Sequence, residues 1–198
     1  MIAFKTIASM YVTLAPMIAA GIINMIVCKL RIFRALQVPM DGGRCLRDGN
    51  RIFGDHKTWK GFISYILLGA ICSASWGRII RNTDLNALDY FYAAHENTLL
   101  FNIINGLLLG FAYALFELPN SFLKRRLGIA PGKSVEGVWK GFSVFLDQAD
   151  SMFGCALVVW LFYDLGIARY IAFVLLGALT HILLNMLLYF AHLRKNMF

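Results

Sequence analysis

Charge is what this chain has least of: Asp, Glu, Lys and Arg make up 15% of its 198 residues, against 59% apolar ones, where a soluble domain carries about 25% charged residues. With a mean hydropathy of +0.64, that scarcity excludes an ordinary soluble domain and points to an integral membrane protein. A cysteine framework is also missing. Cys28, Cys45, Cys72 and Cys155 are scattered, three of them in or beside apolar segments where a thiol acts as a small hydrophobe, so neither a disulfide scaffold nor a zinc site is implied. No Pro- or Ser-rich linker, low-complexity tract or internal repeat divides the chain, and a single domain over 1–198 is expected. Acids are fewer than bases, giving a net charge of +8. A nucleic-acid partner would need a basic face on a soluble domain, whereas these charges fall in short stretches between apolar runs.

The apolar runs predict an all-α integral membrane protein with about five transmembrane helices. On the ruler of roughly 20 residues per crossing, spans are placed near 7–28, 61–80, 99–116, 151–163 and 170–192, the last two divided at Tyr163-Asp164-Leu165-Gly166. The first run is too long for a signal-peptide core and leads straight into Lys29, Arg31 and Arg34. Pro119 is expected to end the third span, with Asn120 or Ser121 capping an amphipathic turn that lays Phe122, Leu123 and Leu127 in the interface. Fifteen of the nineteen Lys and Arg residues fall in 29–60, in 124–140 or at Arg194 and Lys195, leaving Lys5, Arg78, Arg81 and Arg169 for the other side. The positive-inside rule then sets the N-terminus outside and the C-terminus in the cytosol, with two functional cytosolic loops and a multi-pass location in the cell membrane.

The first of these loops interleaves Asp41, Asp48 and Asp55 with Arg44, Arg47, Arg51, Lys57 and Lys60, and carries Gly42, Gly43, Gly49 and Gly54 for tight turns. Basic residues alone would serve topology or anionic lipid, but interleaved acids add nothing to either effect. A polyphosphate would suit such a pocket. The stretch Gly54 to Gly61 is not a P-loop, whose spacing it lacks, and Thr58 suits a helix cap better than a phosphate ligand. In the second, Asp147 and Asp150 stand three apart, on one face of a helix, where they could share a magnesium ion. Capping and the helix dipole explain the same two acids equally well. Glu117 is a reserve metal ligand, and Asn102 and Asn105 could line a polar path to the site. A serine-histidine-carboxylate triad finds no support, since only His56 among the histidines shares the active face.

Taken in order, Gly54-Asp55-His56-Lys57-Thr58-Trp59-Lys60-Gly61, then Pro119-Asn120-Ser121-Phe122-Leu123-Lys124-Arg125-Arg126-Leu127-Gly128-Ile129, then Asp147-Gln148-Ala149-Asp150 resemble the signatures of CDP-archaeol synthases, over nearly the whole chain. Ser121, Lys124 and Arg125, with Asp147 and Asp150, also fit the wider CDP-diacylglycerol synthase signature, with Gln148 in place of its arginine. The resemblance implies a five-span membrane cytidylyltransferase that joins CTP to the phosphate of an anionic glycerol-phosphate lipid, giving a CDP-lipid and pyrophosphate. It implies Mg2+ as cofactor, held by Asp147 and Asp150 with help from Asp55. Asp147, Asp150 and Lys124 are the implied catalytic residues. Arg51, Gly54, Lys57, Thr58, Lys60, Asn120, Ser121, Arg125 and Arg126 are the implied CTP-binding residues. Two alternatives are a CDP-alcohol phosphotransferase, whose motif Asp41-Gly42-Gly43-Arg44 fails to continue, and a non-catalytic lipid-binding or transport protein. The latter would spread polar residues through the spans.

Overall fold

The structure is a computed structural model that describes residues 2–131, 133 and 137–190. Arg194, Lys195 and the last residues of the expected 170–192 span lie outside the described residues. The chain runs through helix α1 (Ile2–Lys29), α2 (Trp59–Ile80), the short α3 (Leu85–Leu88) and α4 (Tyr90–Ala94), α5 (Leu99–Arg126), α6 (Lys140–Phe162) and α7 (Gly166–Phe190). Five of these are long and apolar enough to cross a membrane, the number expected. Among the described residues there is no β-strand, only the isolated bridges Pro39 to Thr58 and Cys45 to Arg51.

Two boundaries differ from expectation in a way that moves the site. Pro119 does not end the third span but lies inside α5, which continues to Arg126. Proline removes one N–H, yet its φ is helical, and membrane helices accommodate it where neighbouring groups satisfy the freed carbonyl. The fourth span likewise starts well before 151, since α6 begins at Lys140. Asp147 therefore stands in the interior of a helix and is not an N-cap, and the second functional loop is largely the end of a helical hairpin. Thr58 caps α2 as expected, its Oγ accepting from the Gly61 N–H at 3.2 Å.

Helix α5 is central, packed between α2 and α6, while α1 covers α2 and α7 covers α6. Lipid gives no hydrophobic drive for helices to associate, so the contacts depend on close approach at small residues. A Cβ added to Gly110 of α5 would stand 2.7 Å from the Tyr65 carbonyl oxygen of α2, and one added to Gly154 of α6 would stand 2.6 Å from that of Ala112 on α5. Between the close points, Tyr65 and Tyr113 stack with centroids 3.9 Å apart, and Met152, Cys155, Val159 and Phe173 fill the core. Asn102 and Asn105 are buried in α5 and do not line the large cavity between the helices, so they form no polar path to the site.

The α5–α6 contact can be tested directly. Gly154→Val should cost about 1–3 kcal/mol by overpacking against Ala112, read as a lower thermal unfolding temperature in detergent. Gly141→Ala, where nothing lies within 4 Å of the new Cβ, should leave that temperature unchanged or raise it.

Candidate functional site

Residues 113, 117, 120 and 124 follow one another at three- and four-residue steps, so they form a stripe along one face of α5. Because the helix passes through Pro119, that stripe carries Tyr113, Glu117, Asn120 and Lys124 in register against α6 and the first loop. Asn120 Nδ2 donates to Asp147 Oδ1 at 2.8 Å and to Asp150 Oδ2 at 2.9 Å. Lys124 Nζ pairs with the other oxygen of Asp147. Asp150 also accepts from the Ser151 N–H at 2.6 Å. Two carboxylates on one face of α6 are thus aimed at a single point, where an amide now bridges them.

The first loop is built around Asp41. Its buried carboxylate accepts from Arg51 Nε at 3.2 Å and Nη2 at 2.5 Å, and from the N–H groups of Gly43, Phe53 and Gly54 at 3.1, 3.0 and 2.9 Å. Burial alone would raise its pKa, but the guanidinium and the three N–H donors outweigh burial and hold the carboxyl well below the usual carboxylate range. Gly54, at φ 94°, takes a conformation a side chain would strain, and a Cβ there would meet Pro131 at 2.9 Å and Arg125 Nη1 at 3.1 Å. The loop therefore lies directly on α5 and the segment after it. Arg126 clamps it in place, donating to Asp48 at 2.6 Å and to the Asn50 and Arg51 carbonyls at 3.0 and 2.5 Å.

Lys57 pairs with Glu117 and so joins the loop to the α5 stripe. Burial works against its ammonium, yet Glu117, with Asp150 and Asp147 farther off, holds its pKa above the ordinary lysine value. Beside this pair opens a cavity of about 710 Å3, whose walls include Asp55, Lys57, Thr58, Glu117 and Asp147, and which extends between the helices past Tyr113 and His181.

The structure thus brings Lys57, Thr58, Asn120, Lys124, Asp147 and Asp150 to one mouth. Other expected site residues have internal partners. Lys60 is 2% exposed and donates to the Leu30 carbonyl at 2.7 Å, closing the C-terminal end of α1, although it also touches the cavity. Arg51 is engaged by Asp41 and Asp55, which draws Asp55 at 2.7 Å towards the guanidinium and not towards the acidic pair. Arg126 is occupied by the loop, Gly54 acts as its turn, and Ser121 is half-buried on α5. Arg125 is 6% exposed, and no carboxylate among the described residues pairs with it. Sequence reasoning missed the pairing of Glu117 with Lys57 and the place of Gln148 in the cavity wall; His181 and Asn185, one turn apart in the last span, were readable as a polar pair, and Asn185 does bond across to Gln148. The four-residue steps from 113 to 117 and from 120 to 124 were the available signal.

Comparison with known proteins bears on the family and the fold. A family model described as CarS-like, CDP-archaeol synthase, matches residues 5–198. A CDP-archaeol synthase of Methanococcus aeolicus is 30% identical over 152 residues, covering 76% of this chain and 78% of that protein. One of Pyrobaculum islandicum is 29% identical over 159 residues, covering 80% of each. One of Thermococcus gammatolerans is 35% identical over 101 residues, 50% of this chain, and the match spans about half, 52%, of that relative's length. Among solved structures, an intramembrane enzyme for archaeal membrane lipid biosynthesis shares the fold with a TM-score of 0.60 at 21% identity, over 89% of this chain and 92% of that one.

The dependence of the first loop on Asp41 predicts a hydrogen-exchange result. In Asp41→Asn the amides of Gly43, Phe53 and Gly54 should exchange on the order of tenfold faster as local opening becomes easier. The folded pKa of Asp41 is depressed, so its contribution is present above the ordinary value of 3.8 and is lost only as pH falls through the folded value. Wild-type protection, corrected for intrinsic rates, should therefore persist as pH is lowered through 3.8.

Proposed function

The chain belongs to the CDP-archaeol synthase family, and we propose that it joins CTP to the phosphate of a glycerol-phosphate lipid at the mouth between α5, α6 and the first loop, releasing pyrophosphate. It is a multi-pass membrane enzyme, a CTP-dependent nucleotidyltransferase. The observation that carries the site assignment is the convergence of Asp147 Oδ1 and Asp150 Oδ2 on one Asn120 nitrogen. That convergence brings two hard oxygen donors within reach of one point.

Such a pair fits magnesium, which commonly takes one or two carboxylates and completes its shell with water and substrate phosphate. Among the described residues no group of three or more His, Cys, Asp or Glu could hold a metal, so the protein would supply only this part of the shell. When bound there, magnesium would neutralise triphosphate oxygens and polarise the phosphorus. Charge points the same way. Among the described residues, Glu117, Asp147 and Asp150 meet two ammonium groups at the mouth, those of Lys57 and Lys124.

In the reaction, an oxygen of the lipid phosphate forms a bond to the α-phosphorus of CTP, and the bond from that phosphorus to the β-phosphate oxygen breaks in line, with the electron pair leaving on pyrophosphate. Two anions must approach each other, so the protein acts through position and charge. Arg125, with no carboxylate partner among the described residues, offers a guanidinium for the triphosphate, and Lys57 and Lys124 are close enough to exchange a carboxylate for a phosphate. The asymmetry of Lys and Arg between the two membrane sides supports a cytosolic mouth, where CTP is available. Apolar side chains of α1 in the cavity wall support a lipid whose chains remain between the helices.

Asp147→Asn should lower CTP-dependent pyrophosphate release about a hundredfold or more in purified protein given CTP, magnesium and a glycerol-phosphate lipid. Circular dichroism should show the helices intact, and unchanged turnover would overturn the metal assignment. For Lys124→Ala the KM for CTP should rise about tenfold, the scale of one charge-assisted contact, with the KM for lipid much less affected.

A further inference from the structure

We propose that His181 and Asn185 on α7, with Gln148 on α6 and Tyr113 on α5, form a polar shelf inside the membrane that binds the glycerol oxygens of the lipid phosphate. This rests on the cytidylyltransferase reading and adds to it the part of the substrate that the mouth leaves unread. All four side chains belong to residues that line the cavity. Gln148 follows Asp147 directly, and Asn185 Nδ2 donates to its Oε1 at 2.6 Å. His181 and Tyr113 lie one turn deeper, His181 four residues before Asn185 on α7 and Tyr113 four residues before Glu117 on α5. Their rings sit 5.8 Å apart.

That turn, about 5.4 Å along a helix, is the reach from a phosphate held at the mouth to the middle of a glycerol. The opposite wall suits the hydrocarbon chains beyond the glycerol. Met17, Ile18, Ile22 and Met25 of α1 make it apolar. Helices α1 and α7 meet through Tyr11 and Thr180, at 3.3 Å, and from there towards the loop end the cavity lies between them. A lipid phosphate seated at Asp147 would therefore have hydrogen-bonding groups against its glycerol on one side and apolar side chains against its chains on the other.

A structural role accounts for only part of the shelf. One amide pair between Gln148 and Asn185 would tie α6 to α7, as polar residues do between membrane helices. That bond uses one N–H of Asn185 and the oxygen of Gln148, leaving the second N–H and the Asn185 oxygen; His181 also reaches the Gln148 backbone, a second α6–α7 contact that uses one of its two ring nitrogens. An ionisable side chain that faces a cavity within a span commonly marks a substrate path, even where it also meets a backbone group. The glycerol linkage oxygens, whether ether or ester, are acceptors that the His181, Tyr113 and Asn185 donors would meet.

The test compares three acceptors with the full-length protein in detergent: a dialkylglycerol phosphate, a diacylglycerol phosphate, and a single-chain alkyl phosphate that has no glycerol. His181→Leu and, separately, Asn185→Leu should raise the KM for the preferred glycerol lipid about tenfold. The KM for CTP and the slower use of the alkyl phosphate should not change, and His181→Gln should recover most of the loss. The two glycerol arms identify the linkage that the shelf accepts. Should Asn185→Leu fail to fold because the α6–α7 bond is gone, His181→Leu and its Gln counterpart decide the matter. An unmoved lipid KM, or an equal fall with all three acceptors, overturns the shelf alone. Wild-type protein that transfers nothing from CTP to any acceptor overturns the cytidylyltransferase reading and the shelf together.

Discussion

Two carboxylates held in the interior of a membrane helix are unfavourable unless other groups meet their charge, and the pairing of Asp147 and Asp150 with α5 is the constraint on which this structure turns. Asn120 can bridge both acids only if α5 and α6 approach closely, and the approach is set one turn farther along α6, where Gly154 leaves no room for a side chain against Ala112. Lys124 must then fall on the same face of α5, which requires the helix to run unbroken through Pro119. Site and packing are one arrangement. A bundle with looser helices would leave the acids facing hydrocarbon.

The first loop extends this arrangement past the helix ends. Its organiser, Asp41, faces inward to Arg51 and to three backbone N–H groups, and so acts as a fixed anionic centre for a segment with almost no regular structure. Arg126 and Gly54 bring that segment down on α5, and Lys57 reaches Glu117 from it. Such a loop resembles a lid only in position. Its hydrogen bonds and the buried Lys60 at its base make it part of the scaffold, with the mouth of the cavity defined as much by backbone as by side chains.

Much of this was legible in the sequence, and the failures have physical causes. Five spans followed from hydropathy, and the two charged regions assigned to one side of the membrane do meet, through Lys57 to Glu117 and Arg126 to Asp48. Thr58 was readable as a cap because its oxygen and the start of an apolar run coincide. Pro119 was misread because the rule for soluble helices assumes that water must satisfy a freed carbonyl, and neighbouring helices can do this instead. That error hid the spacing of Tyr113, Glu117, Asn120 and Lys124, while placing the start of the fourth span at 151 made Asp147 look like a cap. The interleaved acids were rightly seen to need a reason beyond topology, but Asp41 and Asp48 hold the loop, a role that only tertiary contacts reveal.

The fate of the basic residues separates scaffold from chemistry. Arg51 and Arg126 are taken up by Asp41, Asp55 and Asp48, and Lys60 by the end of α1. Lys57 and Lys124 rest on carboxylates of the mouth itself, and adjacent Arg125 is buried with no acidic partner among the described residues. A polyanion at the mouth would thus meet two ammonium groups, of which Lys124 has as its present partner an acid that a cation would occupy. In the proposed reaction a divalent cation on Asp147 would compete with Lys124 for the same carboxylate, so cation and nucleotide would reinforce each other: the first would release the ammonium that the second needs. Arg126, one residue along, cannot take that part, because releasing it would free the loop that holds Lys57 in place.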